Sequence, residues 1–120
     1  MKKKNENPVL ENTINELRKV MVEKNRAFWE SVIERISSPR SRMASVNVGK
    51  ISKLTKGNDI ILVPGKLLGG GLIGHPVTVG VLSASKSAVK KVSEAGGSVV
   101  DLIELAKKYP DGSRVTVMGG

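Results

Sequence analysis

The stretch Asp59-Ile-Ile-Leu-Val-Pro-Gly65 decides the fold of this 120-residue chain. Its short, uninterrupted apolar run, bounded by turn-forming residues, predicts a buried strand. Pro64-Gly65 is expected to stop the strand there, because both residues favour turns. The remaining predicted elements lie on either side of this strand.

Strands and helices alternate on its C-terminal side. Val77, Val79 and Val81 predict a second strand, since they share one face of an extended chain. A helix is predicted next, with Ser85 as its N-cap and Gly96-Gly97 ending it after Ala95. It is followed by a strand over 98–100 and by a helix from its N-cap Asp101 to about Lys108. A turn over 109–112 and a strand over 114–118 complete the prediction. This alternation favours a compact α/β domain.

Helical patterns dominate the N-terminal side. Asn7-Pro8 is typical of a helix start, and apolar residues at helical spacing predict helices over about 8–24 and 27–36. The apolar face of the second helix contains Trp29, which is expected to pack in the core with Phe28. Residues 37–45 are expected to form an extended loop. Apolar and polar residues then alternate briefly over Val46-Asn47-Val48. A short helix is expected next, anchored by Ile51 and Leu54, with Lys50 and Lys53 facing outward. The predicted organisation is one structural domain, with a basic helical N-terminal extension and loop over 1–58 and an α/β core over 59–120.

Composition excludes several classes of function. The chain has no cysteine and one histidine, His75, so disulfides, thiolate metal sites and cysteine nucleophiles are excluded and a histidine-based zinc site is not expected. No apolar run is long enough to span a membrane, and Met1 is followed by three lysines without an apolar segment. We therefore expect a soluble, cytoplasmic protein without a membrane partner, a cofactor or a small-molecule substrate.

Positive charge is concentrated in the first half of the chain. The formal net charge is +9, and thirteen of the twenty basic residues lie within 1–58 against six glutamates. No acidic residue lies between Arg35 and Asn58, whereas six basic residues do: Arg35, Arg40, Arg42, Lys50, Lys53 and Lys56. A polyanion would neutralise the mutual repulsion of such a segment, so it predicts contact with nucleic acid. With only three aromatic residues to stack on bases, folded, double-helical RNA is the expected form.

The glycine-rich segment that follows Lys66 has two open interpretations. Gly69, Gly71 and Gly74 fit the spacing Gly-x-Gly-x-x-Gly, but the valine-rich strand follows where a dinucleotide site needs a helix. The phosphate-binding loop of nucleotide hydrolases is also excluded, because that motif needs Ser or Thr after Gly-Lys, whereas Leu67 follows Gly65-Lys66. Either the backbone N–H groups of residues 69–71 approach RNA phosphates, or the segment is a flexible, hairpin-like connection.

No catalytic constellation is recognisable in the sequence. His75 lacks a nucleophile or an orienting carboxylate nearby in sequence, so a structural or RNA-contacting role is expected. The N-terminal glutamates are interleaved with lysine and arginine, as on solvated helix faces. The candidate RNA-binding residues are Arg35, Arg40, Arg42, Asn47, Lys50, Lys53, Lys66, Gly69, Gly70, Gly71, His75 and Lys86; no catalytic, cofactor-binding or metal-binding residue is predicted.

Several motifs follow one another in a recognisable order and spacing. They are Pro39-Arg40, Val46-Asn47-Val48-Gly49-Lys50-Ile51, Val63-Pro64-Gly65-Lys66-Leu67-Leu68-Gly69 and His75-Pro76-Val77-Thr78-Val79, followed by Ser85 before a helix and Glu94-Ala95-Gly96-Gly97 after it. In this order and spacing they resemble the archaeal and eukaryotic large-subunit ribosomal protein L18e, whose family shares its fold with bacterial L15. The resemblance covers essentially the whole chain.

The resemblance implies a structural protein of the large ribosomal subunit with an α/β core of irregular β-β-α turns. It implies contact with the large rRNA and with neighbouring ribosomal proteins. The family's basic signature falls on Arg40, Asn47 and Lys50, and its Pro-Gly-Lys turn falls on 64–66. Met43 and Pro76 depart from the family pattern, where basic residues are frequent. The alternative is a basic RNA-binding or adaptor protein that acts outside the ribosome.

Overall fold

Strand β2, Asp59–Leu68, is the central strand of a parallel sheet in the computed structural model, which describes residues 8–23, 26–37, 44–110, 112 and 114–119. The other elements within these residues are α1 (Pro8–Glu23), α2 (Arg26–Ile36), β1 (Ala44–Asn47), α3 (Val48–Leu54), β3 (Val77–Ala84), α4 (Lys86–Glu94), β4 (Ser98–Asp101), α5 (Leu102–Lys108) and β5 (Val115–Val117). The predicted α/β fold class is confirmed.

The sheet is parallel throughout. β3 lies along one edge of β2, and β4 lies beside β3. The other edge is shared, because β5 pairs with residues 60–62 and β1 pairs with residues 65–68. A parallel sheet carries helices on both of its faces, and the apolar run of β2 is buried on both.

Each face of the sheet packs against its own layer of helices. Ile61, Val63 and Leu67 face α3 and α4, whose Ile51 and Val92 are fully buried. The opposite face packs on α1, α2 and α5, with these buried residues in the cluster: Leu17, Trp29, Val32, Ile33, Ile36, Ile60, Leu62, Leu102, Leu105 and Ala106. The result is a three-layer arrangement with the sheet in the middle.

The buried stripe of α2 follows the predicted pattern. Trp29 is fully buried, its Nε1–H donates to the Pro110 carbonyl at 2.6 Å, and Phe28 meets its ring edge-to-face with centroids 4.8 Å apart. The predicted core role of both aromatic residues is therefore confirmed. The hydrogen bond also joins α2 to the turn after α5, where the Gly112 N–H donates to the Tyr109 carbonyl.

Strand β2 is longer than predicted. It does not stop at Pro64-Gly65 but continues to Leu68, and its register with β3 shifts between Val63 and Lys66. Such a bulge tolerates proline, which lacks the N–H that regular pairing uses. Gly65 is required there, because a Cβ at this position would collide with the backbone of Ala44 in β1. Residues 64–66, expected to form a turn, are therefore part of the strand.

Two further expectations are wrong. Ala44 and Ser45, predicted as loop, begin β1, because they pair with Gly65 and Lys66 across the bulged part of β2. Leu54, predicted to anchor α3 with Ile51, is 63% exposed, and Ile51 and Val48 provide the buried contacts of that helix. Residues 38–43 of the loop predicted over 37–45 lie outside the described residues. None of the described helices is long and apolar enough to cross a membrane.

Candidate nucleic-acid interface

The carboxyl ends of β1, β2 and β3 bring several predicted site residues together. Asn47 at the end of β1 pairs with Leu68 at the end of β2, and Leu67 pairs with Ala84 at the end of β3. Helix α3, the glycine-rich loop 69–74 and helix α4 therefore all begin at one edge of the sheet. Open parallel sheets commonly bind their ligands outside this edge.

The glycine-rich loop is held by the protein's own hydrogen bonds. The Gly49 N–H donates to the Gly70 carbonyl at 2.9 Å, and the Gly70 N–H donates to Asn47 Oδ1 at 2.9 Å. A Cβ at Gly70 would stand 2.5 Å from Asn47 Oδ1, and one at Gly69 would collide with Ser87. Packing inside the protein therefore accounts for these glycines, and the Gly70 N–H is already bonded to a side chain.

A lysine from α4 holds the same loop from the other side. Lys91 Nζ donates to the carbonyls of Gly69 and Gly71, both at 2.6 Å. Hydrogen bonds from an ionised donor are stronger than those between neutral groups. Lys91 is not among the predicted site residues, because its only signal in the sequence is its place beside Lys90 on a capped helix.

The two helical layers differ in charge. Helices α3 and α4 carry five lysines and one glutamate, whereas α1, α2 and α5 together carry six basic and six acidic residues. Lys50 and Lys53 on α3 and Lys86 and Lys90 on α4 are exposed. The α3/α4 face, defined by these four lysines and the adjoining glycine-rich loop, is therefore strongly basic. Lys86 and Lys90 come from the half of the chain with little net charge.

Lys66 lies on the other face of the sheet. Its neighbour Leu67 packs with α3 and α4, so the alternation of side chains along β2 directs Lys66 to the α1/α2/α5 side. There it forms an exposed row with its strand partners Ser45 and Ser83. Lys66 is therefore separated by the sheet from Lys50 and Lys53.

The remaining predicted site residues are placed as follows. Arg35, at the end of α2, donates from Nη1 to the Gly119 carbonyl at 3.1 Å and so joins α2 to the end of the chain. His75 Nε2 lies 2.8 Å from Thr55 Oγ1, which already donates its one hydrogen to the Ile51 carbonyl. His75 Nε2–H is therefore the donor in this pair, and it joins the loop to α3. Arg40 and Arg42 lie outside the described residues.

Apolar exposure coincides with the basic face. Three large apolar side chains are exposed among those that the structure describes, namely Leu54 on α3, Leu72 in the glycine-rich loop and Val89 on α4. All three belong to the α3/α4 layer or to the loop that adjoins it. The α1/α2/α5 layer has no such residue among its described side chains.

A cleft of about 450 Å³ opens on this face between α3 and the loop. It is lined by Asn47, Gly49, Lys50, Ser52, Lys53, Gly71 and Leu72. A second cavity, of about 310 Å³, lies at the amino ends of β2, β3 and β4, and no predicted site residue lines it. Within the described ranges, no three histidine, cysteine or acidic side chains are grouped as a metal site would need.

Comparisons with known proteins agree with the motif resemblance. Residues 45–100 match a family of ribosomal proteins that includes 50S-L15 and 50S-L18e. "Large ribosomal subunit protein eL18" of Archaeoglobus fulgidus is 43% identical over 112 residues, which cover 93% of this chain and 96% of that protein. The proteins of the same name from Thermoplasma acidophilum and Pyrobaculum aerophilum are 41% and 40% identical, over 88% and 85% of this chain and 88% and 84% of their own lengths.

Proposed function

Because the chain belongs to the family of ribosomal proteins that includes 50S-L15 and 50S-L18e, we propose that it binds the large rRNA through its α3/α4 face and supports assembly of the large ribosomal subunit. Members of this family are structural components of the ribosome, so the expectation that the chain is not an enzyme is confirmed. The protein would act in the cytoplasm as part of the ribosome, in contact with neighbouring ribosomal proteins.

The observation that carries this proposal is the unequal charge of the two helical layers. Five lysines against one glutamate on α3 and α4 create a positive potential over a face whose counterpart is balanced. Lysines on such a face bind phosphates and release the condensed counterions of the RNA, which favours binding. The layer of α1, α2 and α5, in which basic and acidic residues are equal in number, is not part of the proposed RNA-binding face.

Lys66 can contact the same RNA only if the interface continues around the carboxyl edge of the sheet. Lys50 and Lys53 lie on one side of this edge, and Lys66 lies on the other, beside Ser45 and Ser83. RNA that contacts all three lysines must wrap the edge. In this proposal Arg40 and Arg42 extend the contact, and 1–58 supplies much of the RNA-binding surface while 59–120 forms the α/β core.

The experiment compares paired lysine substitutions on opposite layers. Lys50→Gln with Lys53→Gln should lower the slope of log affinity against log salt by about two, one for each phosphate contact. Lys107→Gln with Lys108→Gln removes the same charge from exposed positions on α5 and should leave the slope unchanged. Sucrose gradients should show reduced incorporation of the first variant into large subunits and normal incorporation of the second.

Two outcomes would contradict the proposal. Equal effects of the two variant pairs would mean that net charge, rather than the α3/α4 face, controls binding. If the unmodified protein does not sediment with large subunits at moderate salt, the ribosomal role fails, and an RNA-binding or adaptor function outside the ribosome takes its place.

A further inference from the structure

We propose that the cleft between α3 and the glycine-rich loop holds one nucleotide turned out of an RNA helix, with its base against Leu72 and its two flanking phosphates against Lys50 and Lys53. This inference rests on the proposed function and specifies which part of the RNA the α3/α4 face recognises. All residues that line the cleft lie in the described part of the chain.

Leu72 is the main apolar contact in this proposal. Its side chain is 78% exposed, the largest exposure among the described large apolar residues. Hydrogen bonds from Lys91, Asn47 and Gly49 hold the three residues before it, 69–71. A partner that covers the exposed Leu72 side chain removes apolar surface from water, which is favourable.

The size of the cleft selects a small occupant. Its volume of about 450 Å³ lies within the range of sites that hold small molecules. A nucleotide is of that size, whereas an intact RNA double helix is far too wide to enter. Unpaired nucleotides at bulges and loops are the parts of folded RNA that can leave the stack and reach a pocket.

The lining matches both parts of a nucleotide. Lys50 and Lys53 supply positive charge for the two flanking phosphates, and Leu72 supplies an apolar surface for the base. Asn47 accepts from Gly70 with its side-chain oxygen only, so its amide N–H donors are not used in that contact and can bond to a base edge. Apolar side chains such as leucine are known to insert beside unstacked bases.

The cleft is largely formed before binding. The loop is joined to α3 by the Gly49–Gly70 hydrogen bond and to α4 by Lys91. Little conformational entropy has to be lost when the nucleotide enters, which raises affinity. An acidic protein segment could also meet lysines and a leucine, but the excess of lysine on the whole face favours RNA, and the experiment below separates the two.

The experiment uses the full chain and three RNA probes. The probes are a 16-base-pair RNA duplex, the same duplex with one bulged uridine, and the bulged duplex with the base of that uridine removed. The unmodified protein should bind the bulged RNA about three- to tenfold more tightly than the other two, since part of one leucine side chain becomes buried. Leu72→Ser should abolish this preference without changing affinity for the duplex or the salt slope.

Leu54→Ser is the matched control. Leu54 is 63% exposed on α3 but does not line the cleft, so its replacement should keep the preference for the bulged RNA. Both leucines are exposed, and thermal unfolding should confirm that neither substitution changes the fold. A 4-thiouridine at the bulge should form a photo-crosslink to the peptide that contains Leu72.

Three results would overturn the inference. One is equal affinity of the unmodified protein for all three RNAs, which would leave the proposed RNA-binding face intact but the cleft unused. Another is a Leu72→Ser protein that keeps its preference for the bulged RNA. If this variant keeps the preference and yet enters large subunits poorly, Leu72 contacts a protein neighbour instead. Binding to none of the RNAs at low salt would refute the proposed function itself.

Discussion

Replacing Lys91 by methionine removes the ammonium group that holds the glycine-rich loop. Methionine keeps most of the apolar stem but loses both 2.6 Å hydrogen bonds to the carbonyls of Gly69 and Gly71. A hydrogen bond from a charged donor contributes about 1.5–3 kcal/mol. Gly69 is half-buried and Gly71 is exposed, so water replaces part of the loss, and we expect unfolding to become easier by about 2 kcal/mol in total.

The assay is thermal unfolding, with Lys90→Met as the control. A loss of about 2 kcal/mol lowers the Tm by roughly 6–12 °C for a domain of this size. Lys90 lies beside Lys91 on α4, carries the same charge and is exposed, so its removal should change stability by no more than about 0.5 kcal/mol. The two variants therefore separate loss of the loop contacts from loss of charge.

Salt dependence of RNA binding supplies a second distinction. Lys90→Met should lower the slope of log affinity against log salt by about one if Lys90 contacts a phosphate. Lys91→Met should weaken binding at every salt concentration without changing the slope, because it displaces the loop rather than removing a phosphate contact. A Lys91→Met protein with an unchanged Tm and a lower slope would refute the reasoning and make Lys91 an RNA contact.

Two further predictions concern positions around the same edge of the sheet. Gly69→Ala places a Cβ against Ser87 and should lower the free energy of unfolding by about 1–3 kcal/mol through overpacking. The Cβ of Gly74→Ala meets nothing within 4 Å, so this variant should leave the Tm unchanged or raise it. Equal Tm values for the two variants would contradict this account of the loop. Ser85→Ala removes the acceptor for the Ala88 N–H and should lower stability by about 1 kcal/mol, whereas Ser85→Asp keeps an acceptor and should preserve the Tm. A Tm for Ser85→Ala equal to that of the unmodified protein would show that the cap contributes nothing.

The elements that the sequence predicted well depend on contacts between near neighbours. Ser85 Oγ accepts from Ala88 N–H and Asp101 Oδ1 accepts from Glu104 N–H, each three residues away. The buried face of α2 is also a short-range pattern, because its buried residues recur every three or four positions. Patterns of this range can be read directly along the chain.

The missed features join residues that are far apart in sequence. The continuation of β2 beyond Pro64-Gly65 depends on pairing with β1, some twenty residues earlier in the chain. Lys91 holds carbonyls of residues that precede it by twenty and twenty-two positions. Local residue preferences do not encode pairing between distant residues, and from these preferences alone Pro64 and Gly65 predict a turn.

The sequence by itself determined the α/β class, the helix caps, the excess of positive charge and, through its motifs, the resemblance to a ribosomal family. Only the tertiary structure decided which charges share a face. It placed α3 and α4 together, so that lysines from both halves of the chain form one basic face, and it put Lys66 on the other side of the sheet. The physical reason is that charge is counted along the chain, whereas a binding surface depends on which side chains parallel pairing and core burial bring to the same side.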